Sequence, residues 1–494
     1  MKKNIILVIL AVLTLNSCKD FLVQDPIMDQ STELTLSDFN GLNKAVAGAY
    51  GPLCDVSWYG ADFVLNSEIR SGNAMNPIVS DFTSGRMTVP YTMSYNPSST
   101  EGVWTAAYYV ISAANNVLDK VAGKEEEFTS GSVSLADVKN VEAEALALRA
   151  FAHFDALRTY ARTDGKTAQE LGVPVITVPQ LPTDKPKRAT VSETFAQIIS
   201  DLTTAESLMA DSYVRSGVTD KHAVFTKLAI QALLSRVYLY NKDYQHAADY
   251  ATKVIDSKKF KLWTAAEYTS VWGKDVAADG GEVIFEVYGK QANDYDAYWE
   301  GPCHMTHPLG YADCAATADV VALFEEGDVR GTTGIRGKDD GKVMFCTDKD
   351  EKSNGQFWTM KYFGKGDGNV TSTPDFSNTI VIRLSEVYLN RAEAIANGAS
   401  IAGVTVIDDV NAIRKNRGVA ALVAGSTDTV LAERRRELNF EGHYWFDLAR
   451  TGGSVNYKDA KVTRTLLPDS KFWAMPISKT QMDLNDNLVQ NPGY

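Results

Sequence analysis

The chain has 494 residues, 45% of them hydrophobic, and a formal net charge of −13. That length exceeds what one hydrophobic core usually holds, which admits either two closely packed subdomains or one large helical body with insertions. The acidity argues against nucleic acid as a partner, because phosphate binding needs a basic face and the Lys and Arg residues here are scattered among more numerous carboxylates.

The first residues are Lys2 and Lys3, an apolar stretch from Ile5 to Leu13, and then Leu15-Asn16-Ser17-Cys18. A positive flank ahead of a short apolar core marks a secretory leader, and this core is too brief to cross roughly 30 Å of hydrocarbon. Small residues just before a cysteine form a bacterial lipobox, so residues 1–17 are predicted to be a signal peptide and Cys18 the lipidated first residue of the mature protein. Each buried methylene adds about 0.8 kcal/mol of membrane affinity, and several acyl chains together predict a lasting membrane anchor on an exported protein. Residues 18–28 then read as an extended tether.

Helical periodicity begins near Leu36 and continues through Phe39, Leu42, Ala45, Val46 and Ala49. Between about Gly51 and Glu101 it fades, and Gly, Pro, Asn and Ser alternate with Trp58, Tyr59, Phe63, Tyr91 and Tyr95; this predicts a long irregular segment of the functional kind. Helices are predicted over Trp104–Val121 and Val138–Ala161, the second apolar around most of its circumference and therefore interior. Pro174, Pro179, Pro182 and Pro186 break the chain, and Thr190 or Ser192 caps a helix reaching about Met209.

Residues 223–240 and 244–255 form a helix pair about the turn Asn241-Lys242-Asp243, with small residues facing bulky ones in the tetratricopeptide manner. The segment Leu234-Ser235-Arg236-Val237-Tyr238-Leu239 is echoed by Leu384-Ser385-Glu386-Val387-Tyr388-Leu389, which again opens a helix followed by another near 406–417. Between about Trp263 and Ile380, glycine-rich turns separate the runs Val283–Val287 and Phe357–Tyr362, which are β-branched or aromatic and read as strands. The fold class is therefore mostly α, a helical-repeat scaffold at 29–262 and 263–494 with a loop-rich, strand-containing insertion at 263–380.

Motifs for catalysis are missing. There is no G-x-S-x-G and no H-E-x-x-H, and the glycine-lysine run at 337–342 has the wrong spacing for a phosphate loop. Cys303, His304, His307 and Cys314 have the ligand types zinc accepts, but they lack a Cys-x-x-Cys pair, and in an oxidising compartment Cys303 and Cys314 read as a disulfide or two free thiols. Cys54 and Cys346 leave other pairings open. Asp294, Asp296 and Glu300 could serve glycosidase chemistry or hold calcium, against the simpler reading of a solvated acidic loop. No enzyme, metal or cofactor is expected.

Aromatic residues are abundant, with 22 Tyr and 8 Trp. Flat rings stack on the C–H faces of sugars, so Trp58, Tyr59, Tyr91, Tyr95, Tyr295, Tyr298 and Trp299 are candidate platforms, with Arg70, Asn73 and Asp296 to bind hydroxyls. The same mixture would also suit a peptide.

Several segments carry a family resemblance: Cys18-Lys19-Asp20-Phe21-Leu22 with Asp25-Pro26; Trp104, Tyr108, Ile111 and Asn115-Asn116-Val117-Leu118; and the helix from Glu142 to Ala150. Further on come Arg383 to Ala394, Asn411 to Arg414, Glu433 to Arg450 and the tail Asn487 to Tyr494. In this order they resemble the SusD/RagB family of outer-membrane nutrient-binding lipoproteins. The resemblance implies a TPR-like fold with ligand-contacting loops in the early irregular region and the middle insertion. It also implies a noncatalytic surface protein that captures oligosaccharides, or in some members peptides, and passes them to a SusC-type TonB-dependent transporter. Glu433, Arg434, Arg435, Arg436, Glu437 and Glu441 lie at helical spacing and read as ion pairs that hold the scaffold.

Overall fold

Capping residues set the starts of most long helices. Asp38 accepts the Gly41 amide at 2.8 Å and begins α1, Phe39–Ala49. Ser134 and Asp137 form a reciprocal capping box at the head of α4, Leu135–Tyr160, as do Thr190 and Glu193 at α5, Val191–Leu208. Between α1 and α4 lie α2, Asp62–Ser71, and α3, Trp104–Val121. Then follow α6, Lys227–Tyr240; α7, Tyr244–Asp256; α8, Leu384–Ala396; α9, Val406–Asn416; α10, Thr427–Leu438; and α11, Tyr444–Thr451. The computed structural model describes residues 32–77, 85–98, 102–165, 170–218, 220–272, 281–287, 301–308, 310–347, 355–362, 377–459 and 461–494.

The helices pack as a succession of neighbours: α3 on α4, α4 on α5, α6 on α7, α7 on α8, and α8 on both α9 and α10. This is the stacked arrangement expected when each helix pair cannot cover its own apolar face. The echoed segments form the last turns of α6 and the first turns of α8, helices that touch. As the sequence predicts, α4 is interior: from Asn140 to Tyr160 every side chain is buried. Its Phe151 ring lies 5.8 Å from Trp58 and 5.6 Å from Tyr59, both stacked, and meets Phe225 and Phe285 edge-on.

The strands are short. β1, Ala74–Met75, pairs with β3, Ala315–Ala316; β2, Val283–Val287, pairs antiparallel with β7, Thr379–Arg383. Three more, β4 (Thr333–Ile335), β5 (Phe345–Thr347) and β6 (Trp358–Thr359), form a small mixed sheet, and β8 (Val455–Lys458) pairs with β9 (Thr463–Leu466). Every side chain of β2 and of β7 is buried, so their apolar runs lack the alternation of a half-exposed strand.

One expectation is corrected. The stretch from Gly51 to Glu101 contains a full helix, α2, whose residues from Phe63 to Ser71 are buried except Asn66. A helix enclosed on nearly all sides shows no polar face, and its apolar period is lost among buried Ser67, Glu68 and Arg70. Glycines frame it. A Cβ on Gly60 would stand 2.4 Å from the Cys54 carbonyl oxygen, and Gly72 closes the helix at φ +86°.

Among the described residues no helix is long and apolar enough to cross a membrane. None of Cys54, Cys303, Cys314 and Cys346 forms a disulfide. The described residues also contain no group of three or more His, Cys, Asp or Glu able to hold a metal ion.

The arginine-rich signature on α10 pairs across the fold. Glu433 meets Arg330 at 2.6 Å, Glu437 meets Arg383 at 2.6 Å and Arg417 at 2.7 Å, and Glu441 meets Arg383 at 2.7 Å and Lys361 at 2.5 Å. The i,i+3 contact of Arg436 with Glu433 at 2.9 Å is a minor part of this network. Burial alone would raise the Glu437 carboxyl, but Arg417, Arg383 and Arg330 hold it well below the ordinary range.

Candidate functional site

Helix α2 carries Asp62, Phe63, Asn66, Ser67 and Arg70, which helical geometry places on one face, and that face forms one wall of a partly open cavity of about 190 Å³. Further walls come from Arg86, Val89, Pro90 and Tyr95, and from Thr159 at the end of α4 with Phe446 and Met475 of the C-terminal region. Arg464 on β9 ties two of these walls together, donating to the carbonyls of Ile69, Pro90 and Tyr91 at 2.8, 3.1 and 2.9 Å. The site is thus assembled from segments almost 400 positions apart (Arg464 and Ile69 are separated by 395).

Its polar groups are incompletely satisfied. The Nε of Arg70, the hydroxyl of Tyr95 and the Oδ1 of Asn66 are all buried without a hydrogen-bond partner. In a native protein such atoms call for an explanation, and three lining one cavity point to a ligand that completes them. Arg70 makes one hydrogen bond among the described residues, from Nη2 to the Phe472 carbonyl at 2.6 Å. Its guanidinium lies 3.8 Å from the centre of the Trp445 ring and 5.1 Å from that of Tyr95. Trp445 is itself stacked on Trp473 at 4.4 Å. Burial pushes the Tyr95 hydroxyl up to about 12, so it is a neutral donor at pH 7.

Arg70 and Tyr95 are the two sequence-predicted ligand residues that the structure brings into the cavity. Trp58 and Tyr59 are enclosed, at 0% and 3% exposure; Trp58 donates to Asp155 at 2.7 Å and both rings stack on Phe151, so neither offers a free face. Asn73 is a strut, donating to Glu68 at 2.8 Å and accepting from Arg435 at 2.9 Å. Tyr91 donates to Asp459 at 2.5 Å and packs edge-on to Tyr457. These four were expected to face ligand; the structure uses each to hold the walls, because a buried ring or amide must find partners within the protein. Tyr295, Asp296, Tyr298 and Trp299, with Asp294 and Glu300, lie outside the described residues, as does Cys18. Sequence reasoning passed over Asp62 as a site residue; the signal was the polar series Asp62, Asn66, Arg70 at i, i+4, i+8, visible only once the segment is known to be a helix.

Two family descriptions match the chain. "Starch-binding associating with outer membrane" matches residues 20–239, and "SusD family" matches residues 347–494. The chain belongs to the SusD/RagB family. A SusD-like protein of Formosa agariphila is 25% identical, the alignment spanning 99% of this chain and 98% of the relative. A crystal structure of a SusD superfamily protein from Bacteroides vulgatus superposes with a TM-score of 0.79 at 26% identity, covering 92% of this chain and 99% of that one. A surface glycan-binding protein A from Bacteroides thetaiotaomicron, in complex with laminarihexaose, superposes with a TM-score of 0.72 at 20% identity, covering 92% and 99%. The SusD/RagB signature residues serve the scaffold here: Arg149 binds Asp201 at 2.6 Å and Asn115 at 2.8 Å, and Arg450 binds both Glu393 and Asp447.

Proposed function

We propose that this protein is a noncatalytic, lipid-anchored surface lipoprotein that binds oligosaccharides and passes them to a SusC-type TonB-dependent transporter in the outer membrane. The observation that carries the reading is the cavity, where rings and aliphatic groups surround three unsatisfied polar atoms in a family member. A sugar needs that combination: an apolar wall for its C–H face, and fixed donors and acceptors for its hydroxyls. At about 190 Å³ the cavity is smaller than pockets that enclose drug-sized ligands, roughly 300–1,000 Å³, so it takes one sugar ring while the rest of the chain stays outside. The laminarihexaose complex of the Bacteroides thetaiotaomicron neighbour supports a glycan as the ligand class. Acylation at Cys18 supplies the anchor.

Isothermal titration of the full-length protein in detergent against oligosaccharide and peptide panels tests this. Glycan binding weakened at least tenfold by Tyr95→Ala is the expected result, and binding to peptides alone overturns it. Co-purification with a large β-barrel partner tests the delivery step. Replacing Cys18 with Ala should move the protein from the membrane to the soluble fraction.

A further inference from the structure

Most buried arginines in this protein end on carboxylates. Arg149 pairs with Asp201, Arg158 with Asp155, Arg236 with Glu386, Arg391 with Asp409 and Arg450 with Glu393, each within 2.7 Å. Arg188 and Arg464 are exceptions of another kind: Nε, Nη1 and Nη2 of Arg188 are occupied by four carbonyls and the Asn491 amide oxygen, and both Nη atoms of Arg464 donate to three carbonyls although its Nε has no partner. Arg70 is 4% exposed and has neither solution: among the described residues no carboxylate pairs with it, its Nε has no partner, and a single carbonyl accepts from Nη2. An uncompensated buried guanidinium is destabilising, and a bound anion would relieve that cost.

We propose that the cavity recognises an anionic substituent on a sugar ring, a carboxylate or a sulfate ester, through the guanidinium edge of Arg70 and the hydroxyl of Tyr95. This rests on the glycan-binding reading above. Trp445 covers a face of the guanidinium at 3.8 Å, which leaves its N–H edge to bond, and an N–H edge is the geometry that carboxylate and sulfate oxygens match. Tyr95, 7% exposed and with its ring centre 5.1 Å from the guanidinium, supplies a neutral hydroxyl donor to the same anion. Arg86 lines the cavity as a second cation, lying over the Tyr311 ring at 4.0 Å.

Two lining groups favour something other than an anion: the Asp62 carboxylate and the Asn66 Oδ1 are acceptors. They suit the hydroxyls of the same ring, so the ligand is a sugar that has both hydroxyls and one acidic group. A neutral sugar would satisfy those acceptors and leave the Arg70 charge uncompensated. The remaining titratable neighbour of Arg70 is the phenol of Tyr494, which burial raises to about 12 and keeps neutral.

The test is titration of the full-length protein in detergent with three matched oligosaccharide sets: neutral, uronate-containing and sulfated. One acidic set should bind at least tenfold more tightly than the neutral set and weaken as salt rises, and which of the two does so separates carboxylate from sulfate. Arg70→Gln should abolish that preference, lowering affinity for the acidic set at least tenfold more than for the neutral set. Because Arg70 also packs on Trp445, Tyr95→Phe serves as a second variant that removes only a hydroxyl; it should lower acidic affinity several-fold with the melting temperature kept. Equal affinity for neutral and acidic sets, or acidic affinity unchanged in both variants, overturns the anionic site and leaves glycan binding standing. Absence of binding to any glycan overturns both.

Discussion

Arg236 and Glu386 hold the same third position in the two copies of the six-residue echo, and they are bonded to each other: Nε and Nη2 of Arg236 meet the two carboxylate oxygens at 2.6 Å each. Both side chains are about 1% exposed. The echo therefore builds a contact between its own copies, with opposite charges at matching places of the six-residue segment, one late in α6 and the other in the first turn of α8.

Removing one partner strands a buried charge. Arg236→Met or Glu386→Leu alone is expected to cost about 3–5 kcal/mol, whereas the double variant should recover most of that loss because neither charge remains. Urea denaturation of the four proteins in a double-mutant cycle gives the coupling; single-variant losses that simply add would refute it.

Asp155 joins two regions, accepting from Trp58 Nε1 at 2.7 Å and Arg158 Nε at 2.8 Å. Trp58→Phe shrinks a fully buried ring and removes one hydrogen bond to Asp155, so a loss of about 2–4 kcal/mol is expected, with glycan affinity unchanged. Asp155→Ala leaves the buried Arg158 without its carboxylate, for about 3–5 kcal/mol. A large drop in glycan affinity for Trp58→Phe, at retained stability, would return Trp58 to the ligand face.

Acid should destabilise the protein in two stages. His153 is wholly buried; its Nδ1 lies 3.0 Å from the Arg149 carbonyl and its Nε2 accepts from the Ile176 amide at 3.2 Å, an arrangement that needs the neutral ring. Burial, with the nearby Arg149 charge, lowers its pKa to about 3. The unfolded chain, with its histidine near 6.5, binds the proton first, so stability is complete above about pH 6.5 and falls by roughly 1.4 kcal/mol per pH unit below it. The second stage belongs to Glu433, Glu437 and Glu441, whose depressed values make their contribution present above about pH 4.3 and lost as pH falls further. Melting temperatures from pH 8 to 4 should bend near 6.5, and His153→Gln should remove one proton from that slope. An unchanged slope in the variant would contradict the assignment.

Gly60→Ala places a methyl group 2.4 Å from the Cys54 oxygen and 2.6 Å from the Asp55 oxygen, both backbone atoms that cannot move aside alone. A loss of about 1–3 kcal/mol is expected by thermal denaturation.

The helices were legible because they follow local rules. Trp104–Val121 appears with the bounds its periodicity predicts, and Thr190 caps α5 as its position suggests, since capping and amphipathic spacing act within one or two turns. α2 was hidden because enclosure on every side removes the polar face that makes a helix readable. The acidic residues of α10 were legible as ion-pair formers, but not their partners: Arg330, Arg383 and Arg417 come from elsewhere in the chain, and no spacing rule links them.

The amino-acid order alone determined the helical-repeat class and the family, since periodicity, caps and an ordered set of motifs are properties of nearest neighbours. Which rings face a ligand was decided only by tertiary packing. Trp58 and Tyr95 are both aromatic residues in a glycine- and serine-rich stretch, yet one finds Asp155 and Phe151 in the core while the other ends at a cavity with its hydroxyl unpartnered. The difference lies in what distant segments bring against each ring, and burial depends on that three-dimensional meeting.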